Sequence, residues 1–155
     1  MPTKVLSRLL FGGASRLSWP AEIGLLVLRA WTGLALAFGH GLSKLPPSQQ
    51  FIEGTADLGF PLPAVSAWMA GLGEFAGGIL LALGLLTRPA ALWIMCVMGT
   101  AAFVAHWDDP LLMTDGPPAK EMALLFFAPA FCLLMTGSGR TGIDQFIRGK
   151  SAPRD

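Results

Sequence analysis

Apolar residues are gathered into four long blocks, separated by short stretches that hold nearly all the polar ones. The blocks are Ile23–Gly39, Ala64–Leu86, Ala90–Trp107 and Ala123–Met135. A helix needs about 20 mostly apolar residues to cross a bilayer, with a working range of ~17–25. Three blocks reach that length on their own, and the fourth does so once Ala119, Lys120 and Glu121 form its first turn. None has the continuous polar face that a helix packed in a water-soluble protein would present. The pattern predicts an all-α membrane protein, an antiparallel four-helix transmembrane bundle with spans at about 21–43, 64–86, 89–107 and 119–136. Pro20, "FPLP", "TRP" and "PPAKE" punctuate the span boundaries. The "TRP" turn is so tight that spans two and three must form a hairpin, with Pro89 expected at the first helical position. Pro129 falls inside span four and removes one helical hydrogen bond there, to the carbonyl of Leu125.

Composition agrees: 53% of the 155 residues are hydrophobic, 14% are charged and the mean hydropathy is +0.57, outside the range of soluble domains. The net charge of +1 hides an asymmetry that matters more. Lys4, Arg8 and Arg16 precede span one, Arg88 lies between spans two and three, and Arg140, Arg148, Lys150 and Arg154 follow span four. The other two connections hold only Lys44 and Lys120, against Glu53, Asp57, Asp108, Asp109, Asp115 and Glu121. The positive-inside rule therefore places both termini in the cytoplasm. Nothing in this balance suggests a nucleic-acid partner.

Residues 1–20 are too charged for a secretory signal core, and Arg29 argues against cleavage after Ala37. Val5, Leu6, Leu9, Leu10 and Leu17, set against Lys4, Arg8 and Arg16, suit a short amphipathic interfacial segment on the cytoplasmic side. Residues 138–155 read as a basic cytoplasmic tail, and a short interfacial helix is expected around Phe51–Leu58. Cys96 and Cys132 lie within spans three and four with no CxxC or Cys/His spacing, so they read as small apolar side chains rather than a redox pair or a metal site.

Candidate chemistry begins with Glu74, which lies near the middle of span two. An ionised side chain there costs about 2.5–3.5 kcal/mol on insertion scales unless it is paired or wetted. Arg29 in span one is the expected partner. Arg29, Gly33, Ala37 and Gly41 form an i, i+4 row, as do Ala70, Glu74, Gly78 and Ala82, and small residues let two backbones approach closely. The Arg29–Glu74 pair either locks the two helices in register or lines a cavity or proton route; the two roles are compatible. A second group gathers at the outer ends of the spans: His40 and Lys44 on span one, His106 at the end of span three and Glu121 at the start of span four. These are expected either to converge as a ligand-binding site walled by Phe38, Phe103, Trp107 and Leu124, or to snorkel singly at the interface. An imidazole can donate to a carbonyl oxygen and exchange protons near neutral pH, so the first reading suits a lipophilic head group. The two histidines have no HxxxH or ExxH spacing for a metal.

The stretches "LRAWTGLALAFGHGLSKL", "GEFAGGILLALGLLTRPAAL", "AAFVAHW" and "KEMALLFFAPAFCLLMTGSGRTGID" together resemble the DoxX family of small bacterial membrane proteins, over roughly Ile23–Asp144. The resemblance implies a multi-pass protein of the bacterial cytoplasmic (inner) membrane that is associated with oxidoreductases. Relatives named for thiosulfate:quinone oxidoreductase subunits imply a quinone-linked role, and others imply a soluble redox or detoxification enzyme as a partner at the cytoplasmic face. The chain has no flavin, haem or CxxC motif of its own, so any redox cofactor would be a quinone or be held by a partner. Three readings stay open: a quinone- or lipophile-binding subunit of a membrane redox system, a noncatalytic scaffold that recruits a soluble oxidoreductase, and a small proton-coupled transporter using Glu74. A homo-oligomer is compatible with each of them.

Overall fold

The computed structural model describes residues 17–112 and 120–151, with the side chains of 148–151 left out of the description. The amphipathic segment expected over residues 1–16, most of the second outer loop and the last four residues of the tail lie outside the described residues. Every regular element among the described residues is helical. They are α1 (Trp19–Leu36), α2 (Gln49–Asp57), α3 (Pro63–Leu83), α4 (Thr87–Thr100), α5 (Lys120–Thr136) and α6 (Ile143–Ser151). A π-helical turn, Ala37–Gly41, and a 3₁₀ turn, Leu42–Lys44, prolong α1, and a second π-helical turn, Ala101–Ala105, prolongs α4.

Among the described residues, three helical runs are long and apolar enough to cross a membrane: Trp19–Lys44, Pro63–Leu83 and Thr87–Ala105. The fourth apolar block forms α5, whose 17 residues span about 25 Å at ~1.5 Å rise per residue. It runs unbroken through Pro129. Helix α1 packs on α3 and α5, α3 on α4, and α4 on α5, so each of the four touches two of the others. Leu25, Leu36, Leu81, Ile94, Met98, Ala130 and Leu133 fill the space between them. The outward faces carry exposed Val27, Trp31, Leu34 and Phe38 on α1, and Leu125, Phe131 and Met135 on α5. Water would penalise such a surface, whereas hydrocarbon does not.

Helix α2 is the short helix expected after the first span. It is started by Ser48, whose side chain accepts from the N–H of Phe51 at 3.2 Å. The α3–α4 turn differs slightly from expectation. Helix α4 begins at Thr87, so Pro89 is its third residue, still within the first turn, where N–H groups lack intrahelical partners. Leu86 before it takes a left-handed conformation, φ 49°.

The largest departure concerns residues 138–155. The charge pattern alone reads as a basic tail from the end of the last apolar block. Instead Gly137–Gly142 folds back across the end of the helices, with Ser138, Gly139 and Asp144 buried, and leads into α6. Gly137 and Gly139 both sit at positive φ, 74° and 67°, which lets the chain reverse directly after α5.

Candidate functional site

Glu74 owes its position to the approach of α1 and α3. A Cβ added to Gly78 would lie 2.6 Å from the carbonyl oxygen of Gly33 and 3.1 Å from the Cβ of Ala37. A Cβ on Gly41 would strike the backbone of Phe75 and Glu74. The two rows of small residues therefore do meet. Later residues of the first row face earlier residues of the second, however, so Glu74 lies opposite Gly41 and not Arg29. Arg29 is twelve residues from Gly41, about 18 Å along the helix, beyond the reach of its side chain.

The expected Arg29–Glu74 pair is accordingly replaced by two separate arrangements. Lys44, one turn past His40, turns back so that its Nζ donates to Glu74 Oε1 at 2.5 Å. The carboxylate side chain is 2% exposed and the lysine 35%, so the pair has one buried and one half-wetted end. Lys44 Nζ also lies 5.7 Å from the ring centre of Phe51 on α2. Glu74 Oε2 is buried and has no hydrogen-bond partner among the described residues.

Around this pair lies a cavity of about 440 Å³. His40, Lys44, His106 and Glu121, the four side chains singled out from the sequence, all line it, together with Glu74. Both histidines are set by π-helical turns, each of which inserts an extra residue into a helical turn and re-aims the side chains after it. His40 lies inside the first. The N–H of His106 closes the second on the carbonyl of Ala101 at 2.9 Å. His106 Nδ1 lies 2.6 Å from Asp109 Oδ2, which fixes that ring. His40 packs edge-on against Phe126 of α5, with ring centres 5.3 Å apart. The apolar wall consists of Leu36, Met98, Leu125 and Phe126. Phe38, Phe103 and Trp107, expected as walls, point outward with more than half of each exposed, and Leu124 packs against the core. The reason is rotational, because the π-helical turns shift which positions of α1 and α4 face inward.

A second cavity, of about 340 Å³, lies under α2 between α3 and α4 and is lined by Phe51, Met69, Trp93 and Val97. Lys44 and Glu74 line it as well, so the ion pair borders both spaces. Among the described residues no group of three His, Cys, Asp or Glu side chains is placed to hold a metal ion.

At the other end of α1, Arg29 is 1% exposed and binds backbone. Its Nη1 donates to the carbonyl of Ser138 at 2.5 Å and its Nη2 to that of Thr141 at 3.4 Å. Glu22, fully buried, accepts from the N–H of Arg140 at 2.7 Å, with the Arg140 Nε 3.7 Å from its other oxygen. Asp144 accepts from the N–H groups of Leu86 and Thr87, at 2.7 and 2.9 Å, which supplies the N-terminal cap that α4 lacks locally. Arg29 and Glu22 thus bind the strap between α5 and α6, and Asp144 ties the start of α6 to the α3–α4 turn. Glu22 and Asp144 were not singled out from the sequence. The signal that could have found Glu22 is its position, an acid in the first turn of an apolar helix with no basic residue three or four positions away.

The DoxX family model matches residues 24–107, more than half of the chain and the part that carries Arg29, His40, Lys44, Glu74 and His106. CatD of Bacillus subtilis (strain 168), which is named provisionally as an oxidoreductase, is 30% identical over 130 residues, covering 83% of this chain and 91% of that protein. The inner membrane protein YphA of Escherichia coli (strain K12) is 33% identical over 111 residues, covering 68% of this chain and 77% of YphA. No solved structure matches the chain. Both relatives align across most of their length, and the family match takes in the buried Arg29 and Glu74: this chain belongs to the DoxX family.

Proposed function

We propose that the chain is an antiparallel four-helix bundle of the bacterial cytoplasmic membrane, with both termini in the cytoplasm, and that its outer cavity binds the head group of a neutral lipophile, a quinone fitting best. The observation that carries this reading is the convergence of His40, His106, Lys44, Glu74 and Glu121 on one space with an apolar wall. Its volume falls within the range of small-molecule sites, about 300–1,000 Å³, and such sites are mostly apolar with a few polar groups that fix orientation.

The charges favour a neutral ligand over an anionic one. Two carboxylates and one ammonium line the cavity, and the ammonium is already engaged by Glu74. An anionic head group would compete with Glu74 for the Lys44 ammonium. A carbonyl oxygen would suit imidazole donors at His40 and His106, and Asp109 would steady the His106 ring while it gave or took a proton. A bound quinone would supply the electron-accepting centre that the chain's own side chains lack. Lys44 and Glu74 would keep the floor of the cavity polar, and Leu36, Met98 and Phe126 would exclude water from it. Supporting a redox association, CatD is provisionally named as an oxidoreductase. The charge asymmetry of the loops and the inner-membrane relative support the location.

The orientation is tested with reporter fusions. A fusion at Ser48 is expected to report the outer side and one after Gly139 the cytoplasm; the reverse assignment would overturn the topology. For the ligand, lipid extracted from the purified protein is analysed by mass spectrometry. Quinone is expected in the wild type, reduced about tenfold in His40→Ala and in His106→Ala, each being worth ~1.4 kcal/mol of binding. If wild type never carries quinone, or both variants retain it in full while folded, the cavity reading is wrong. A soluble oxidoreductase co-purifying without quinone would put the scaffold reading in its place.

A further inference from the structure

The second cavity, beneath α2 and between α3 and α4, differs in character from the first. Its wall is built by Phe51 of α2, Leu58 just after that helix, Met69 of α3, and Trp93 and Val97 of α4. Gly73 makes room for this wall, since a Cβ there would lie 2.7 Å from Trp93 Nε1 and 2.9 Å from Val97 Cγ2. Two of the wall's polar groups are answered from within. Trp93 Nε1 donates to the carbonyl of Met69 at 3.2 Å, and Thr55 Oγ1 to that of Phe51 at 2.8 Å. Ser66 and Thr100 add small hydroxyls and Cys96 a thiol; among the described residues, the only Lys, Arg, Asp or Glu side chains lining the space are Lys44 and Glu74. The first cavity gathers His40, His106 and Glu121 in addition to that pair. Three residues line both spaces: Lys44, Glu74 and Ala101. The Lys44 ammonium is held by Glu74, so along the boundary this residue adds its methylene stem, and Ala101 adds a single methyl group.

We infer that the second cavity holds the hydrocarbon chain of the same lipophile whose head group occupies the first, the two spaces forming one amphiphile site that bends at Lys44 and Glu74. The inference rests on the head-group reading above and adds where the chain goes. Polarity is the first observation that selects this occupant. Water in a protein cavity needs two to four polar partners, and a wall of Phe51, Met69, Trp93 and Val97 does not supply them. Left empty, about 340 Å³ of space would deprive that wall of its dispersion contacts. Continuity is the second observation. The shared residues set the second cavity beside the first, so a chain leaving a head group near His40 and Lys44 starts at its edge. Passing from bilayer to cavity exchanges one hydrocarbon surrounding for another, so chain burial by itself gains little. The advantage over a free lipid is the tether, because a chain fixed at one end fills the space intramolecularly, at high effective concentration. The ligand class is therefore a polar ring or small head with a flexible apolar chain, able to turn at the ion pair.

The test uses the full chain in phosphatidylcholine vesicles with two photoreactive benzoquinones that share a short isoprenoid chain. One carries an azide on the ring and the other a diazirine at the end of the chain, and the labelled peptides are mapped after irradiation. The ring probe is expected to label α1 and α5 near His40 and Phe126, and the chain probe the faces around Met69, Trp93 and Val97. Ala70→Phe fills part of the second cavity. In it, chain labelling there, read relative to ring labelling, is expected to fall several-fold and to move to outward residues such as Phe38 and Phe131. Chain labelling of those outward residues in wild type, with the ring still near His40, would overturn the inference and leave the head-group reading standing. Absence of ring labelling near His40 and Phe126 would sink that reading, and the inference with it. A phosphatidylcholine with a diazirine on its acyl chain is expected to label outward faces. Labelling around Trp93 by this lipid that unlabelled quinone does not displace would also overturn the inference, a separate lipid then filling the space. Thermal unfolding in detergent shows whether Ala70→Phe keeps its fold, and Val97→Phe takes its place if it does not.

Discussion

Arg29→Leu is expected to unfold the protein at markedly lower temperature or denaturant than wild type, with a loss of about 3 kcal/mol or more. Leucine keeps much of the apolar stem but removes both guanidinium contacts. Hydrogen bonds from a charged donor are worth ~1.5–3 kcal/mol each, and carbonyls left unsatisfied in a buried site cost ~1–3 kcal/mol. The Ser138 contact at 2.5 Å carries most of this and the 3.4 Å contact to Thr141 less. Arg29→Lys retains the charge but has one point donor where the guanidinium reaches two carbonyls, so it is expected to fall between the two. Gly84→Ala probes the same place from the other side. Gly84 sits at φ 67°, and an added Cβ would lie 2.7 Å from the Arg29 Cζ, so strain and clash act together. Limited proteolysis locates the damage: cleavage within Gly137–Gly142 should rise in Arg29→Leu before the helices themselves unfold. A loss below about 1 kcal/mol, with the strap still protected, would show that Arg29 does not hold it.

The same experiment separates two arrangements that sequence reasoning could not tell apart. The lengths and boundaries of the helices were legible because hydrophobic length is a direct demand of the bilayer, and the two rows of small residues were legible because i, i+4 spacing defines a face. Those rows do pack together. What spacing does not reveal is the level at which one row meets the other, and this decides whether Glu74 faces Arg29 or Gly41. The nearer solution, Lys44, is present in the sequence but reads there as part of a separate outer group. His40, Lys44, His106 and Glu121 could be gathered because each ends or begins an apolar block at the same side of the bundle. Their aromatic neighbours could not, since a π-helical turn rotates the helix without leaving a compositional mark. The strap was least legible of all. Arg29 and Glu22 recognise backbone groups more than 100 residues away, and no side-chain pattern records a contact with a carbonyl or an N–H.

Because Arg29 and Glu74 serve opposite ends of α1, a double-mutant cycle between them is expected to show no coupling, while one between Lys44 and Glu74 should show a large one. Lys44→Met leaves the Glu74 carboxylate buried beside an unbonded Oε2, and breaking a buried pair from one side typically costs about 3–5 kcal/mol. The half-wetted lysine places this variant at the lower end of that range. Glu74→Gln should cost less, since the amide oxygen can still accept from the ammonium. In Lys44→Met with Glu74→Met no charge is left unpaired, and apolar replacements of a buried pair are often neutral, so stability is expected to return to within about 1 kcal/mol of wild type. The decisive readout is then the bound lipophile. If the pair only braces α1 against α3, the doubly substituted protein should carry as much as wild type. If the pair forms the polar floor of the cavity, as proposed, the protein should be stable and empty. Stability and occupancy would then separate in a single variant, which a bracing role alone cannot produce.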